Sequence, residues 1–220
     1  MTNYSLDIVS VSALSGNEPK NAVILCHGYG GDGKDISALA INWQRFLPDA
    51  IFLCPNAPEI FAINKQGYQW FDLISDNEDE ILEKSLKAEN KLNQFIDQVL
   101  KNFNLKPNNL ALVGFSQGAM MSIQVGIKKK EKINCLIGYS GKIINKKHLS
   151  YNINSKPKIF LMHGANDAIV SPTHLLDAKE YFKSHGLKIK TKLFNNCEHK
   201  ISIEGSSLGL GFFKKKSFII

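Results

Sequence analysis

Short runs of almost wholly apolar residues recur along the chain and constrain its fold more than any other feature. A strand that leaves one face in water alternates polar and apolar residues, whereas a continuous apolar run fits a strand buried on both faces of a parallel sheet. The runs of this kind are Ala22–Cys26, Ala50–Cys54, Leu110–Phe115, Cys135–Tyr139 and Ile159–Met162. Two further segments, Tyr4–Val11 and Lys188–Phe194, alternate more clearly, so we expect them at the two edges of the sheet.

Longer segments with apolar residues at helical spacing lie between these runs. They are Asp76–Asn102, Gln117–Lys128, Thr173–His185 and Ile201–Lys215. Alternation of strands and helices is typical of an α/β domain in which helices flank a mostly parallel, doubly wound sheet. A length of 220 residues suits one such unit, so we expect a single domain over residues 1–220.

The composition excludes several other classes of protein. Hydrophobic residues make up 44% and charged residues 21% of the chain, the balance of an ordinary globular protein. No apolar run is long enough to span a bilayer, and Met1–Ser10 lacks the features of a secretory signal. The four cysteines are far apart and three of them lie in apolar runs, which predicts buried free thiols in a cytoplasmic protein.

The net charge of +7 is carried by visible lysine clusters at Lys128–Lys130, Lys146–Lys147 and Lys214–Lys216. We interpret these clusters as a solvated basic surface, since net charge bears on solubility and association more than on fold. Weak attraction to anionic membrane surfaces is the alternative left open. Nucleic-acid binding fits poorly because no aromatic residues are interleaved with the lysines.

The segment Gly114-Phe115-Ser116-Gln117-Gly118 joins a predicted buried strand to a predicted helix. A serine on a sharp strand-to-helix turn is typical of the nucleophile elbow of α/β-hydrolases. The turn is crowded two residues before and after the serine, which explains the glycines. The helix behind it directs backbone N–H groups toward the place where negative charge develops. We therefore predict that Ser116 is a catalytic nucleophile.

A glycine-rich loop, His27–Gly33, follows the apolar run Ala22–Cys26. In hydrolases of this kind the loop at this position supplies one backbone N–H of the oxyanion hole, and the residue after the nucleophile supplies the other. We expect Tyr29 and Gln117 to provide these N–H groups. The loop also matches the dinucleotide pattern G-x-G-x-x-G, but the next strand ends in Pro55–Pro58, with no acidic residue to hold a ribose, so nucleotide binding is disfavoured.

A serine nucleophile needs a histidine base and a carboxylate that fixes the histidine tautomer, in the chain order serine, acid, histidine. Asp167 follows the run Ile159–Met162, at the carboxyl edge of the predicted sheet where sites of such folds collect. His199 follows Lys188–Phe194 at the same edge, whereas His163 precedes the acid and is expected to pack near the loop. Metal binding by His163, Asp167 and His199 is the alternative, but no comparable ligand spacing is present.

The segment Glu59–Leu73 has little regular pattern but contains many apolar residues. It leaves the sheet at the same edge as the predicted triad, and long connections in compact domains are usually functional or disordered. We expect it to form part of an acyl-binding wall or a small lid, with Phe61, Tyr68 and Trp70 contacting substrate and Gly67 providing flexibility. Plain core packing is the alternative.

Taken in order along the chain, these motifs resemble the phospholipase/carboxylesterase family, the group that includes the acyl-protein thioesterases. The resemblance rests on Leu25–Gly33, Pro55–Pro58, Trp70-Phe71-Asp72, Gly114–Met120, the His163–Val170 segment and His199. It implies an α/β-hydrolase fold and a cytoplasmic serine esterase without a cofactor, often dimeric, acting on small acyl esters or thioesters. The family usually has glycine before the catalytic histidine, where this chain has Cys197-Glu198.

Two other functions stay open at this point. A catalytically silent binding protein of the same fold would share the core pattern, although an intact triad argues against it. A nucleotide-binding oxidoreductase would use the glycine-rich loop. The triad chemistry does not discriminate among oxygen esters, thioesters and lysophospholipids.

Overall fold

The computed structural model of the chain describes residues 4–63, 65–75 and 77–214. Its strands are β1 (Ile8–Val11), β2 (Asn21–Cys26), β3 (Ala50–Pro55), β4 (Glu59–Ile60), β5 (Tyr68–Gln69), β6 (Leu110–Phe115), β7 (Cys135–Tyr139), β8 (Lys158–Gly164) and β9 (Ile189–Phe194). Its α-helices are α1 (Gly33–Gln44), α2 (Glu78–Asn102), α3 (Gln117–Lys128), α4 (Lys146–Ser150), α5 (Thr173–Ser184) and α6 (Ile203–Lys214). A 3-10 turn at Pro107–Asn109 leads into β6.

Within the described residues, seven strands form one sheet in the order β1-β3-β2-β6-β7-β8-β9. All neighbours are parallel except β1, which runs antiparallel to β3. The five apolar runs occupy the five central strands, and the two alternating segments are the two edges, as predicted. The predicted fold class, a mostly parallel sheet flanked by helices in a single domain, is confirmed.

Side chains that alternate along the central strands enter two apolar layers on opposite faces of the sheet. Ile24 and Leu112 pack in the layer covered by α2 and α3. Val23, Val113 and Phe160 pack in the layer covered by α1 and α6. Helices on both faces explain why the central strands read as continuous apolar runs rather than alternating ones.

Several boundaries differ from those predicted. The helix α1 was not predicted, although Ile36, Leu39 and Trp43 are buried along one of its faces, because its first turn overlaps the glycine-rich loop. The strand β8 runs to Gly164, past the predicted end at Met162. The predicted helix ends at Asp76 and Lys215 lie outside the described residues. Part of the 59–73 segment is a short antiparallel hairpin of β4 and β5.

Steric crowding explains why α6 has a glycine at position 209. A Cβ on Gly209 would collide with the hydroxyl of Tyr139 and approach the indole of Trp43 to 3.1 Å. The Tyr139 hydroxyl lies inside the core and donates a hydrogen bond of 3.1 Å to the Gly205 carbonyl. Gly209 thus lets α6 lie close to the sheet, whereas a Cβ on Gly211 would meet nothing within 4 Å.

We expect Gly209→Ala to lower the free energy of unfolding by about 1–3 kcal/mol, because the added methyl group overpacks the contact with Tyr139. Gly211→Ala in the same helix is the matched control. It has room for the methyl group, and alanine favours the helix by up to about 1 kcal/mol, so stability is expected to rise slightly. Urea denaturation of both variants measures the difference. Equal effects on stability would contradict the steric explanation.

Candidate active site

The chain turns sharply at Ser116 between β6 and α3. Ser116 has φ 52° and ψ −118°, a left-handed conformation that non-glycine residues rarely adopt. Its N–H donates to the Tyr139 carbonyl at 2.8 Å, which ties the turn to the neighbouring strand β7. A Cβ on Gly114 would collide with the backbone of Gly118, and one on Gly118 would collide with the carbonyl of Cys26. Both glycines are therefore required by close backbone approach, as the sequence pattern predicts.

The imidazole of His199 lies between the hydroxyl of Ser116 and the carboxylate of Asp167. Its Nε2 is 3.0 Å from Ser116 Oγ and its Nδ1 is 2.8 Å from Asp167 Oδ2. A carboxylate only accepts hydrogen bonds, so we assign the proton of neutral His199 to Nδ1. This tautomer leaves Nε2 free to accept the Ser116 proton. The structure thus brings His199 into contact with Ser116, 83 residues before it in the sequence, and with Asp167, 32 residues before it.

The Asp167 carboxylate is completely buried and held on both oxygens. Oδ1 accepts the N–H groups of Ile169 at 3.0 Å and Val170 at 2.9 Å. Burial by itself raises the pKa of Asp167, but hydrogen bonds to the ionised form outweigh burial and hold the pKa below its ordinary value. The groups that lower it are the Val170 N–H, His199, the Ile169 N–H and Ser140.

A second histidine, His163, contacts the same carboxylate from inside the core. Its Nε2 lies 2.9 Å from the Val170 carbonyl and 3.2 Å from Asp167 Oδ2. Both partners are acceptors, so this nitrogen carries a proton and donates it. Burial lowers the pKa of His163, which favours the neutral ring. His163 therefore packs and hydrogen-bonds behind the acid, in keeping with the expectation from chain order.

Ser140 also supports the acid and was not found by the sequence analysis. It is buried, has φ 50°, and its side chain hydrogen-bonds Asp167. The only sequence signal is its position directly after β7, at the carboxyl edge of the sheet. Serine after a strand is too common for that signal to single it out.

Backbone contacts between the loops after β8 and β9 align Asp167 with His199. The N–H of Ala165 donates to the Phe194 carbonyl and that of Asn166 to the Cys197 carbonyl, both at 2.9 Å. A Cβ on Gly164 would collide with the carbonyl of Cys197, so this glycine allows the close approach. The Glu198 side chain is 78% exposed and points toward Lys200, which explains how an acid is accommodated next to His199.

The two predicted oxyanion donors lie in the two turns that meet at Ser116: Gln117 follows the serine, and Tyr29 follows Gly28, whose added Cβ would lie 3.3 Å from Ser116 Cβ. Gln117 is the first residue of α3, and Tyr29 lies in the turn after β2. Among the described residues, neither backbone N–H donates to a protein acceptor. Free N–H groups at a helix start and in an adjacent turn are suited to stabilise an oxyanion.

His27 fixes the loop that carries Tyr29. Its Nε2 accepts the N–H of Ala57 at 3.0 Å, so its Nδ1 carries the proton and donates to the Gly28 carbonyl at 2.7 Å. Burial lowers the pKa of His27, consistent with a neutral ring. The His27 carbonyl accepts the indole N–H of Trp70 at 3.0 Å.

The β4–β5 hairpin is joined to the same loop by backbone hydrogen bonds. The Gly30 N–H donates to the Tyr68 carbonyl and the Tyr68 N–H to the Gly31 carbonyl, each at 2.9 Å. The ring of Phe61 packs edge-on against Tyr29 with centroids 4.8 Å apart. A Cβ on Gly67 would collide with the Gly30 carbonyl, so Gly67 is required for close packing rather than for lid flexibility.

The structure corrects the expectation for Trp70. Its side chain is fully buried, with the indole N–H on the His27 carbonyl, so it supports the loop from behind and does not face a cleft. The other two residues named for the acyl wall, Phe61 and Tyr68, are partly exposed.

The side chain of Gln117 connects the serine turn to the segment after the hairpin. Its Oε1 accepts the Trp70 N–H at 2.8 Å and its Nε2 donates to the Phe71 carbonyl at 2.6 Å. The side chain is fully buried, so both bonds form away from water. The sequence analysis selected Gln117 for its backbone N–H and missed this second role.

A cleft of about 330 Å³ opens beside His199 and the glycine-rich loop. It is lined by residues of the glycine-rich loop, the start of α1, and the segment that begins at His199. The side chains that line the cleft include Tyr29, Ile36, Phe115, His199 and Ile201. The ring of Phe115 lies 4.9 Å from that of His199, so the imidazole has an apolar neighbour.

Comparison with known proteins places this arrangement in a family. A family model described as phospholipase/carboxylesterase matches residues 9–208. The chain belongs to the phospholipase/carboxylesterase family. It is a serine hydrolase of the esterase class, as the motifs predict.

Individual relatives agree with the family assignment. The chain is 30% identical to acyl-protein thioesterase 1 of Emericella nidulans, covering 80% of this chain and 81% of the relative. It is 26% identical to acyl-protein thioesterase 1 of Candida albicans, covering 94% and 98%. Among solved structures, esterase PE8 superposes with a TM-score of 0.91 at 33% identity, covering 95% of this chain and 98% of that one. Arabidopsis thaliana SOBER1, at 20% identity and a TM-score of 0.78, shares the fold.

These comparisons with phospholipase/carboxylesterase proteins give no support to the alternative functions. In the glycine-rich loop, the Gly33 N–H donates to Asn56 Oδ1 at 2.8 Å, so a side chain of this chain occupies the start of α1, where a nucleotide phosphate would have to bind.

No cluster of three metal-ligating side chains is found among residues 4–63, 65–75 and 77–214. No helix in that part of the chain combines the length and apolar character that a membrane span requires.

We expect Gln117→Glu to lower the free energy of unfolding by at least about 2 kcal/mol near pH 8, because the buried carboxylate faces the Phe71 carbonyl and has no proton to donate. Lowering the pH toward about 5 protonates the new side chain and restores a donor, so the loss shrinks. Gln44→Glu is the matched control, since Gln44 makes a solvent-exposed bond to the Ser12 carbonyl. Urea denaturation at both pH values is the measurement, and wild-type stability of Gln117→Glu near pH 8 would contradict the assignment.

Proposed function

We propose that Ser116, His199 and Asp167 are the nucleophile, base and acid of an esterase that hydrolyses carboxylic esters or thioesters. The observation that carries this proposal is the continuous hydrogen-bonded line from Ser116 Oγ through the His199 ring to Asp167 Oδ2. Membership of the phospholipase/carboxylesterase family supports it, and relatives named acyl-protein thioesterases favour acyl thioesters among the substrates.

In the first half-reaction Ser116 Oγ attacks the acyl carbonyl carbon while His199 Nε2 takes the hydroxyl proton. The carbonyl oxygen becomes an oxyanion, which the N–H groups of Tyr29 and Gln117 stabilise. When the tetrahedral intermediate collapses, the bond to the leaving oxygen or sulfur breaks. The leaving group departs with the proton from His199, and the acyl group stays on Ser116.

In the second half-reaction water attacks the acyl-enzyme and gives a proton to His199 Nε2. Collapse releases the carboxylic acid and returns the proton to Ser116 Oγ. Asp167 stays ionised throughout and stabilises the imidazolium that forms twice in each cycle. Its lowered pKa suits this role, because the carboxylate must not take the proton itself.

We expect a fluorophosphonate probe to label the wild-type protein on Ser116 alone, because only an activated serine reacts with it. Ser116→Ala is expected to abolish labelling and to lower kcat by at least about a thousandfold, with a small residual rate from oxyanion stabilisation. Ser122→Ala, which changes a buried serine of α3 behind the site, is the control for labelling. Mass spectrometry of the labelled peptide identifies the serine, and labelling elsewhere would overturn the triad assignment.

We also propose that the β4–β5 hairpin forms the acyl-side wall of the site. Phe61 and Tyr68 are partly exposed next to the loop of Tyr29, and backbone hydrogen bonds hold the hairpin in that place. An acyl chain attached to Ser116 has to leave the carbonyl on the side opposite the departing group. The hairpin offers partly exposed apolar surface next to the Tyr29 loop, as ligand sites generally require.

We expect Phe61→Ala to shift the preferred acyl chain length toward longer chains, because removing the ring opens space that additional methylenes can fill. Each buried methylene contributes about 0.8 kcal/mol to binding. Trp70→Ala is the contrast, since a fully buried indole is expected to affect stability and leave the chain-length profile unchanged. A steady-state panel of ethyl esters of increasing acyl length is the measurement, and an unchanged profile for Phe61→Ala would exclude this wall.

We further propose weak attachment of the site's edge to anionic membrane surfaces. Five isoleucines are each at least 64% exposed and lie in β4, on loops at the carboxyl edge or at the start of α6: Ile60, Ile63, Ile74, Ile169 and Ile203. Lysines such as Lys65 and Lys200 are interspersed with them. Apolar side chains beside cations are suited to bind an anionic lipid interface.

Cosedimentation with vesicles of anionic phospholipid is expected to exceed that with neutral vesicles. The double variant Ile63→Gln and Ile169→Gln is expected to weaken binding by at least about thirtyfold, since each isoleucine contributes on the order of 1 kcal/mol or more. The double variant Leu14→Gln and Leu176→Gln changes two residues of similar exposure elsewhere and serves as the control. Equal loss in both double variants would contradict a localised membrane surface.

Location and self-association are two further proposals. All four cysteines are buried and free, which supports a cytoplasmic location. The family that the chain resembles is often dimeric, which is the basis for proposing a homodimer. Subcellular fractionation and light scattering of the purified protein test these two statements.

A further inference from the structure

The strand β9 forms one edge of the large sheet, and no other described strand pairs with its outer side. Two bonds to β8 show which backbone groups face inward. The Ile159 N–H donates to the Lys188 carbonyl, and the Ala165 N–H donates to the Phe194 carbonyl. Residues of a strand bond alternately to its two sides, so the even-numbered residues of β9 bond β8. Three residues of β9 therefore direct their N–H and C=O groups outward: Ile189, Thr191 and Leu193.

The side chains of β9 also alternate between two unlike faces. Ile189, Thr191 and Leu193 share the face that α5 covers, because successive residues of a strand point to opposite faces. Ile189 packs against the apolar layer on this face, whereas Leu193 is 45% exposed. This face of the edge strand thus leaves apolar surface uncovered near its end.

The opposite face of β9 carries a row of lysines. Lys190 Nζ lies 5.0 Å from the centroid of the Phe160 ring, and Lys192 Nζ lies 5.4 Å from that of Phe194. These cation–π contacts hold the two ammonium groups along the strand, about 6.6 Å apart. Lys188 extends the same row and is exposed. The row is therefore ordered before any partner binds, which lowers the entropy cost of binding.

Carboxylates of the chain balance little of this charge. Glu204 lies 3.3 Å from Lys192, but its side chain is 62% exposed. Among the described residues, neither Lys188 nor Lys190 forms an ion pair. The row thus favours an anionic partner.

The neighbouring groups select the kind of anion. Nucleic acid bases stack on exposed aromatic rings, whereas Phe160 is fully buried beneath Lys190. A second copy of β9 would place lysine opposite lysine, which disfavours pairing. A lipid surface offers no partner for a row of outward N–H and C=O groups. An extended acidic peptide supplies both backbone groups for the edge and carboxylates for the lysines.

We propose that the outer edge of β9 is a docking strand for an extended acidic segment of another protein, which joins the sheet as a further strand. Carboxylates at every second position of the segment pair with the lysine row across the strand. The residues between them are apolar and cover Leu193 on the other face. This surface is independent of the proposed esterase chemistry.

The test measures fluorescence anisotropy of a labelled heptapeptide of alternating glutamate and valine, added to the whole protein at low salt. The same peptide N-methylated at every residue keeps the charges and loses all N–H donors, so it probes strand pairing without any change in the protein. Thr191→Pro removes one outward N–H, which an edge strand tolerates, and Thr191→Val is its matched control. The double variant Lys190→Gln and Lys192→Gln removes two charges. The double variant Lys91→Gln and Lys101→Gln, two exposed lysines of α2, removes the same charge elsewhere.

We expect N-methylation of the peptide to weaken binding at least about tenfold, and Thr191→Pro and the double variant in β9 to weaken it at least about fivefold each. Thr191→Val and the double variant in α2 are expected to stay within about twofold of wild type. Equal binding of the two peptides by wild-type protein would overturn strand pairing, whatever the stability of Thr191→Pro. Unchanged binding by the double variant in β9 would overturn charge recognition. Tighter binding of a single-stranded oligonucleotide or of anionic vesicles, lost in the β9 double variant and kept in Thr191→Pro, would overturn the peptide as the partner.

Discussion

Ser116 turns the chain from β6 into α3 through a left-handed backbone conformation, and that strain costs about 1–3 kcal/mol that the surroundings have to offset. The turn is possible only because Gly114 and Gly118 lack side chains where the backbone of Cys26 and of the first helical turn crowd them. The tie to the Tyr139 carbonyl and the buried bonds of Gln117 hold it. The hydroxyl is thereby directed toward His199 Nε2, 3.0 Å away.

Three histidines near this turn differ in role because their partners differ. His27 accepts an N–H from Ala57 and holds the Tyr29 loop, while His163 donates to the Val170 carbonyl and to Asp167. Burial lowers the pKa of both, so each stays a neutral hydrogen-bonding ring. His199 alone has one nitrogen on the acid and the other on the Ser116 hydroxyl. Hydrogen-bond partners, rather than residue type, separate the two supporting rings from the ring that we propose as the proton-transferring base.

The surroundings of the turn also give the site two unlike sides. The β4–β5 hairpin presents partly exposed aromatic rings, and Gly30, Gly31 and Gly67 let its backbone lie directly against the Tyr29 loop. A groove between α1 and α6 has mixed polar and apolar walls and begins beside His199. The two surfaces that border the site therefore differ in polarity.

The sequence by itself determined the sheet, the serine turn and the three side chains that we propose as the triad. Continuous apolar runs indicate strands buried on both faces, and the glycines around Ser116 indicate close backbone approach. The ends of the strands indicate the sheet edge at which Asp167 and His199 lie. Those signals are local in the chain. The supports of the site, Ser140, His163 and the side chain of Gln117, depend on which loops face each other. The burial of Trp70 and the course of the groove between α1 and α6 depend on helix placement as well. Only the tertiary structure decided them, because contacts between residues far apart in the chain leave no periodic pattern in either segment.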